Sequence, residues 1–559
     1  MTTPVDRSPM AQSVATVPSV DDAIPWWKTG VVYQVYPRSF QDSNRDGVGD
    51  LPGIVTRLDY LAELGVDAVW ISPFYRSPMK DFGYDVADYC DVDPVFGTLA
   101  DFDALVAAAH ARSIRIIIDW VPNHCSDQHP WFQASRASRA DPKRDWFTWR
   151  APKPDGAPPN NWLAVFGGPA WTLDPRTGQF YLHSFLPEQP DLNWRSPHLR
   201  RAMLETLRFW LDRGVDGFRI DVAHYLMKDP LLRDNPSADP QISQLHKSMG
   251  DYDSQVHLYD RNHPDIHGVY REIRALLDSY STTHPRASIG EIHLFDLEDW
   301  ATFYGQDLDE LHMPFNFTLL RATWDAAAMR RTIDALEAAL PRGAWPNWVL
   351  GNHDEPRIAS RVGPEAARAA MVLLLTLRGT PTVYYGDELG MTDVPIPPAL
   401  EQDPFGKRVP GLGLGRDPQR TPMQWNAGPT AGFTAGEVLW LPLAADADRR
   451  NVAAQQSDPA SMLALTRHAL AARRRHAALH RGTYRPCGDM PDGVFGFFRE
   501  HETERLLVLV NFRSTPAEVA IPDRVKSVVI STHASASLPP PGATLVLRPD
   551  EALVLELTS

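Results

Sequence analysis

From about residue 26 onward, short β-branched and apolar runs alternate with longer segments whose apolar positions recur every three or four residues, a pattern of parallel strands joined by helices. VVYQVYP over 31–37 opens it as the first strand. A helix over 54–65 follows, with Leu58, Leu61 and Leu64 on one side and Gly65 as its stop, and VDAVWISP over 66–73 is the second strand. A helix over 102–112 leads to RIIIDWVPNH over 115–124 as the third. Further strands are predicted at 217–220, 287–290, 311–315, 348–350 and 382–385. Eight such units predict an α/β fold, a (β/α)8 barrel whose chemistry lies on the loops at the C-terminal ends of the strands.

Two interruptions change this picture. Residues 125–197 are rich in Trp, Pro, Asn and Gly and too long for an ordinary loop, so they are expected to form a small inserted lid domain over the barrel mouth. Most of its aromatic side chains, Trp131, Phe132, Trp146, Phe147, Trp149, Trp162, Phe166 and Trp171, are expected to be that domain's core. A second Pro- and Gly-dense stretch over 391–434 predicts another lid. From about 481 the helical period gives way to VFGFFRE, RLLVLVNF, VKSVVIS and EALVLEL, which predict a C-terminal antiparallel β-sandwich over 481–559. The expected layout is a disordered leader over 1–25, the barrel over 26–124 and 198–480, the lid and the sandwich.

The formal charge of −15 over 559 residues argues against nucleic acid or an anionic membrane as partner and suits a neutral small molecule. Cys90, Cys125 and Cys487 are scattered without CxxC spacing, which points to a reducing compartment. The leader lacks the apolar core of a signal peptide, and the most apolar run, 371–377, is far short of the roughly 20 residues that span a bilayer. A cytoplasmic protein, monomer or homodimer, is expected.

The candidate chemistry sits at the predicted strand ends. In FRID the two-residue period puts Arg219 and Asp221 on one face, where a guanidinium orients a carboxylate and keeps it ionised. The third strand ends in Asp119, Asn123 and His124, the fifth in Glu291, and the seventh in Asn352, His353 and Asp354. A barrel rim so loaded with acidic and imidazole groups is electrostatically costly unless function requires it. Two carboxyls of different environment can divide nucleophilic and acid/base work at a glycosidic bond.

DWVPNH, GFRIDVAH, GEIHL and LGNHD, in this order and spacing, resemble the four conserved regions of the α-amylase family of glycoside hydrolases. GYDVADY over 83–89, QPDLNW over 189–194 and RTPMQW over 420–425 resemble its α-glucosidase and oligo-1,6-glucosidase branch in particular. The resemblance implies Asp221 as nucleophile, Glu291 as general acid/base and Asp354 as the carboxylate that grips the sugar ring. It implies Arg219 as the partner that keeps Asp221 ionised, and His124 and His353 as ligands of sugar hydroxyls. Asp81 and Tyr84 would close the non-reducing end of the pocket, making the enzyme exo-acting, with Arg420 or the nearby Arg416 closing it from the second lid. The implied reaction is double displacement with retention, with transglycosylation where a sugar hydroxyl replaces water. Val222, after the nucleophile, would face the leaving sugar; valine there accompanies α-1,6 linkages, whereas the following AHYLMKDP departs from the oligo-1,6-glucosidase pattern, so α-1,4 and α-1,6 linkages both stay open.

Asp42, Asn44, Asp46 and Asp50 with the carbonyl of Val48 have alternate-residue spacing that suits either an Asx-rich turn or a cation loop. Similar loops in this branch bind Ca2+ or Mg2+, so a structural cation is expected and no organic cofactor. Rival readings on the same barrel are a disaccharide isomerase or glucosyltransferase. A non-catalytic transporter subunit is disfavoured, because the carboxylate trio is intact and no membrane anchor is evident.

Overall fold

The computed structural model describes residues 24–239, 248–281, 284–488, 490–521, 523–533 and 544–558. Eight parallel strands close into a barrel: β1 (Val32–Val35), β2 (Ala68–Ile71), β3 (Arg115–Trp120), β4 (Gly217–Ile220), β5 (Ala287–Glu291), β6 (Met313–Asn316), β7 (Asn347–Val349) and β8 (Thr380–Tyr384). Each pairs with its successor in sequence, and β8 closes on β1. The predicted strands are all present, shifted by a few residues at their ends.

The two-residue period of the strands divides each inward face into an apolar base and a polar top. Val32, Ala68, Trp70, Ile117, Ala287, Ile289, Met313, Phe315 and Val349 form one buried cluster with Trp27, which the short helix Trp26–Thr29 contributes. One alternation further along the same faces stand Gln34, Asp119, Arg219 and Glu291. The register puts Asp119 beside Arg219 and Ile289 beside Arg219, so the arginine emerges just above a layer of hydrocarbon. Alternation thus carries charged groups to the C-terminal mouth while the barrel's interior stays packed.

The predicted helix over 54–65 is two helices, Leu51–Thr56 and Leu58–Leu64. Arg57 breaks it at φ −109°, ψ 4°, with Nε donating to Gln41 Oε1 at 2.6 Å and its guanidinium over the Trp425 ring at 4.0 Å. These tertiary contacts outweigh the local helical period. Gly65 ends the second helix in the left-handed region, φ 98°, as a C-terminal stop requires.

Within 125–197 lie the helix Pro130–Ala137 and an antiparallel sheet in the order Trp149–Arg150, Gln179–Leu182, Trp171–Asp174. Phe132, Phe147, Trp149 and Tyr181 pack together there, and Trp162 stacks on Trp171. The C-terminal part has a five-stranded antiparallel sheet, in the order Thr483–Pro486, Val494–His501, Glu504–Asn511, Ala552–Leu557, Val525–Ser531. The pair Ala517–Ala520 and Thr544–Leu547 faces it across a shared core that includes Leu507, Leu509, Val519, Leu547 and Leu555. Among the described residues, no helix is long and apolar enough to cross a membrane.

Candidate active site

Arg219 organises the mouth of the barrel. It is buried over the Trp70 ring, and its Nη1 donates to Asp119 Oδ1 at 2.7 Å and Asp221 Oδ1 at 2.8 Å, while Nη2 meets Glu291 Oε2 at 2.7 Å. One cation therefore holds three carboxyls brought by three adjacent strands. Beyond Asp221 the chain turns sharply: Val222 adopts φ 34°, ψ 49°, a region that β-branched residues rarely enter, and its N–H donates to Glu291 Oε2 at 2.9 Å. Gly290, before Glu291, has no room for a side chain; a Cβ there would lie 2.3 Å from Leu311 Cδ1 and 3.2 Å from Ala223 Cβ.

On the opposite wall, Asp354 Oδ1 accepts from Arg420 Nη2 at 2.8 Å and Arg416 Nη1 at 3.2 Å. Arg416 Nη2 also holds Asp81 Oδ1 and Asp403 Oδ1, each at 2.6 Å. This chain of alternating charges closes one end of the cavity. Gln34 Nε2 lies 2.8 Å from His353 Nδ1, which leaves Nε2–H of the neutral ring to face Tyr84 Oη at 2.6 Å and Asp354 Oδ2 at 3.2 Å. Gln189 Nε2 reaches Asp81 Oδ2 at 3.2 Å and His124 Nε2 at 3.1 Å. Burial lowers both imidazoles, His124 to about 4 and His353 to about 3, so both rings are uncharged; His124 lines the cavity, whereas His353 is fully buried and is not part of its lining.

Asp81, Tyr84, His124, Asp221, Val222, Glu291, Asp354 and Arg416 all line one cavity. Arg219 lies beneath it. Arg420 is set behind Asp354, with Nε donating to His353 O at 2.7 Å, and it is Arg416 that faces the cavity from the second lid. The outer wall is made of Phe166, Phe185, Tyr225, Met249, Tyr252 and Phe405.

The electrostatics of the carboxyl cluster differ from the expected division of labour. Burial raises Asp119 to about 6 against the pull of Arg219. For Asp221, burial and then the negative charge of Glu291 drive the pKa well above the ordinary value, more than Arg219 lowers it. Glu291 is also buried, but Arg219 and His293 outweigh burial and hold it below the carboxylate range. In this arrangement the pair's proton therefore favours Asp221, because Glu291 has the larger share of donors. Asp354 is buried too, and His353, Arg416 and Arg420 overcome that to keep it well below the usual range.

The cation-loop residues stand apart from this cluster. Asp42 Oδ1 accepts from the N–H groups of Asn44 and Arg45 at 2.9 and 2.8 Å, Asn44 Oδ1 from Asp46 N at 2.9 Å, and Asp46 Oδ1 from Val48 N at 2.8 Å. Asp50 caps the helix Leu51–Thr56 through Gly53 N at 2.6 Å. All donors are oxygens, the right chemistry for a hard cation. However, their acceptors serve the loop's own N–H groups, and no three acidic, His or Cys side chains among the described residues converge as a metal cage would.

Sequence reasoning missed Asp403, Phe405 and His293, and with them Phe185, Tyr225, Met249 and Tyr252 of the outer wall. Asp403 and Phe405 belong to a lid without a hydrophobic period, so nothing local marked them. His293, by contrast, carried a signal: the alternation that pairs Arg219 with Asp221 also pairs His293 with Glu291, and its Nε2 lies 3.0 Å from Glu291 Oε1.

Comparison with known proteins agrees with this geometry. The α-amylase catalytic domain model matches residues 34–482, and the C-terminal domain model of the α-amylase SusG matches 494–554. A probable α-glucosidase of Rhizobium meliloti is 43% identical over 511 residues, covering 89% of this chain and 91% of the relative. An oligo-1,6-glucosidase of Parageobacillus thermoglucosidasius is 37% identical over 548 residues, covering 91% and 95%. Among solved structures, the α-glucosyl transfer enzyme XgtA superposes with a TM-score of 0.89 at 42% identity, over 96% of this chain and 100% of its own. The trehalulose synthase MutB of Pseudomonas mesoacidophila MX-45 does so with a TM-score of 0.86 at 36% identity, over the same shares. With its barrel, its carboxylate trio and these relatives, the chain belongs to the α-amylase family of glycoside hydrolases, family 13.

Proposed function

We propose that this protein is a retaining, exo-acting α-glucosidase that releases α-glucose from the non-reducing end of short α-glucosides. The observation that carries the reading is the cavity itself, with Asp221 and Glu291 at its floor on one guanidinium and the Asp81–Arg416–Asp354 chain across its end. A pocket closed in this way accepts a chain terminus and suits a polymer interior poorly.

Asp221 attacks the anomeric carbon while Glu291 protonates the departing oxygen, which forms a covalent glucosyl-enzyme; water, activated by Glu291, then releases the sugar. A glycosidic oxygen arriving at Glu291 draws Oε2 away from Arg219. Glu291 thereby loses a cation and gains proton affinity, and Asp221 keeps the guanidinium and becomes the anion. Asp354, held ionised by two arginines, accepts from ring hydroxyls and faces the positive charge that develops on the sugar. His124 and His353 donate or accept as neutral rings.

Val222 borders the leaving group and, together with the oligo-1,6-glucosidase relative, supports acceptance of α-1,6 as well as α-1,4 linkages. A second reading, glucosyl transfer, is favoured by the outer wall of Phe166, Phe185, Tyr225, Tyr252 and Phe405, which shelters a glucosyl-enzyme from water and offers an acceptor more apolar than polar surface. A structural Ca2+ or Mg2+ at Asp42, Asn44, Asp46, the Val48 carbonyl and Asp50 is proposed as reinforcement of the loop, outside the chemistry. A reducing, cytoplasmic setting accords with three free cysteines.

The test is a time course with maltose, isomaltose, sucrose and trehalose, following products by chromatography and the anomer by NMR. Release of α-glucose is expected; β-glucose would overturn retention. Conversion of a disaccharide to an isomer or a longer sugar with little free glucose would move the function to isomerase or transferase on the same residues.

A further inference from the structure

We infer that His293 is a positioning residue for the acid/base carboxyl, holding Glu291 Oε1 by a hydrogen bond whose orientation is set by an aromatic column rising from the barrel core. The inference rests on the assignment of Glu291 as acid/base proposed above. Glu291 Oε2 has two donors, Arg219 Nη2 and Val222 N–H, whereas Oε1 has His293 Nε2 at 3.0 Å. The His293 ring lies parallel to that of Phe317 at an interplanar angle of 1° and a centroid distance of 4.3 Å. Phe317 stacks on Phe315 at 5.3 Å, and Phe315 meets Trp70 edge to face at 5.9 Å. Trp70 in turn donates through Nε1 to Asp119 Oδ2 at 3.0 Å and underlies the Arg219 guanidinium. One continuous column therefore underlies both side-chain partners of Glu291, the guanidinium at Oε2 and the imidazole at Oε1.

Among the other groups around this pair, Asp354 carries a negative charge that raises Glu291. His224 lies 6.0 Å from His293, ring to ring, and burial and Arg261 hold it uncharged; its Nδ1 is 3.4 Å from the Glu291 carbonyl. The His293 side chain itself is a quarter exposed and borders the cavity. When substrate pulls Oε2 off Arg219, the Oε1 bond is the side-chain contact that remains, so Glu291 pivots about it. An N–H donor at Oε1 favours the ionised carboxyl, the form needed after the leaving group has taken the proton. Without it, Glu291 holds its proton to higher pH.

Two substitutions separate the N–H from the stack. His293→Phe keeps an aromatic ring on Phe317 and removes the donor; His293→Gln keeps a donor and removes the ring. With maltose, the alkaline limb of the kcat profile, which reports Glu291 in the substrate complex after Oε2 has left Arg219, is expected to move up by about one pH unit in His293→Phe, the order of one charge-assisted hydrogen bond. It should stay near the parent position in His293→Gln, with a lower rate from lost orientation. An alkaline limb unmoved in His293→Phe while the rate falls would reduce His293 to packing and overturn the inference. The underlying assignment fails separately, if Glu291→Gln keeps parental activity on a disaccharide.

Discussion

Arg219 grips Glu291 Oε2 at 2.7 Å through the nitrogen next to the one that grips Asp221, so the two carboxyls assigned to opposite roles share one planar cation. The fork sets their spacing as well as their charge. Lysine offers a point charge and cannot span three carboxyls in a plane. Arg219→Lys is therefore expected to lower kcat on an aryl α-glucoside by about 10²-fold or more, with a smaller change in KM. A loss confined to KM would show that Arg219 only shapes the pocket.

The same cluster predicts a stability effect of opposite sign. Asp221 has its pKa raised by burial and by Glu291. A carboxyl with a raised folded-state pKa binds its proton more tightly in the native than in the unfolded chain, so ionising it as pH climbs from the unfolded to the folded value costs stability. Asp221→Asn removes that cost and keeps an oxygen for Arg219. The variant should be almost inactive, yet melt at or above the parent temperature at neutral pH in scanning calorimetry. A lower Tm at pH 7 would mean that the Asp221 anion is a net support of the fold.

Arg416 is the cavity's other shared cation, bonded to Asp81, Asp354 and Asp403. Removing it strips Asp81 of its cation, leaves Asp403 with only Arg420 at 3.9 Å, and opens the closed end. Arg416→Ala should lower kcat/KM for maltose and isomaltose by about 10²-fold or more, chiefly through KM. If Arg420→Ala raised KM as much while Arg416→Ala did not, Arg420 would be the direct sugar contact.

How much of this was legible in the chain depended on how local each signal was. Strand periodicity places Arg219, Asp221, Glu291 and Asp354 at strand ends, because two-residue alternation and an abrupt change from apolar to charged both survive in linear sequence. Arg416 and Arg420 lie four residues apart in a Pro- and Gly-rich lid, where no period says which side chain points inward. The charge balance at Asp221 was hidden for another reason: it depends on Arg219 being shared with Asp119 and Glu291, a matter of three strands' register. The break at Arg57 likewise arises from Gln41 and Trp425, both distant in sequence.

The loop at 42–50 gives a prediction that separates its two readings. Its Asx side chains already accept from the loop's N–H groups, so the turn has support of its own. If a cation reinforces it, dialysis against EDTA should lower Tm, and added Ca2+ or Mg2+ should restore it in proportion to occupancy. Asp46→Ala should abolish the response. A Tm indifferent to chelator and metal would establish an Asx turn closed by hydrogen bonds alone.

The alkaline limb of the kcat/KM profile reports the proton that Asp221 and Glu291 share. The productive form has one proton on the pair, and since burial and Glu291 raise Asp221 while Arg219 and His293 lower Glu291, the last proton to leave the free enzyme comes chiefly from Asp221. Asp119 is part of the cause: its carboxylate competes for Arg219 Nη1 and adds a negative charge beside Asp221. In Asp119→Asn both effects weaken, so the alkaline limb is expected to move to lower pH while the acidic limb, which follows Glu291, moves less. A profile measured from pH 3 to 9 with an aryl glucoside decides it. An alkaline limb that moved upward would mean that Asp119 acts mainly by orienting the guanidinium, and that its charge contributes little to the proton balance of the pair.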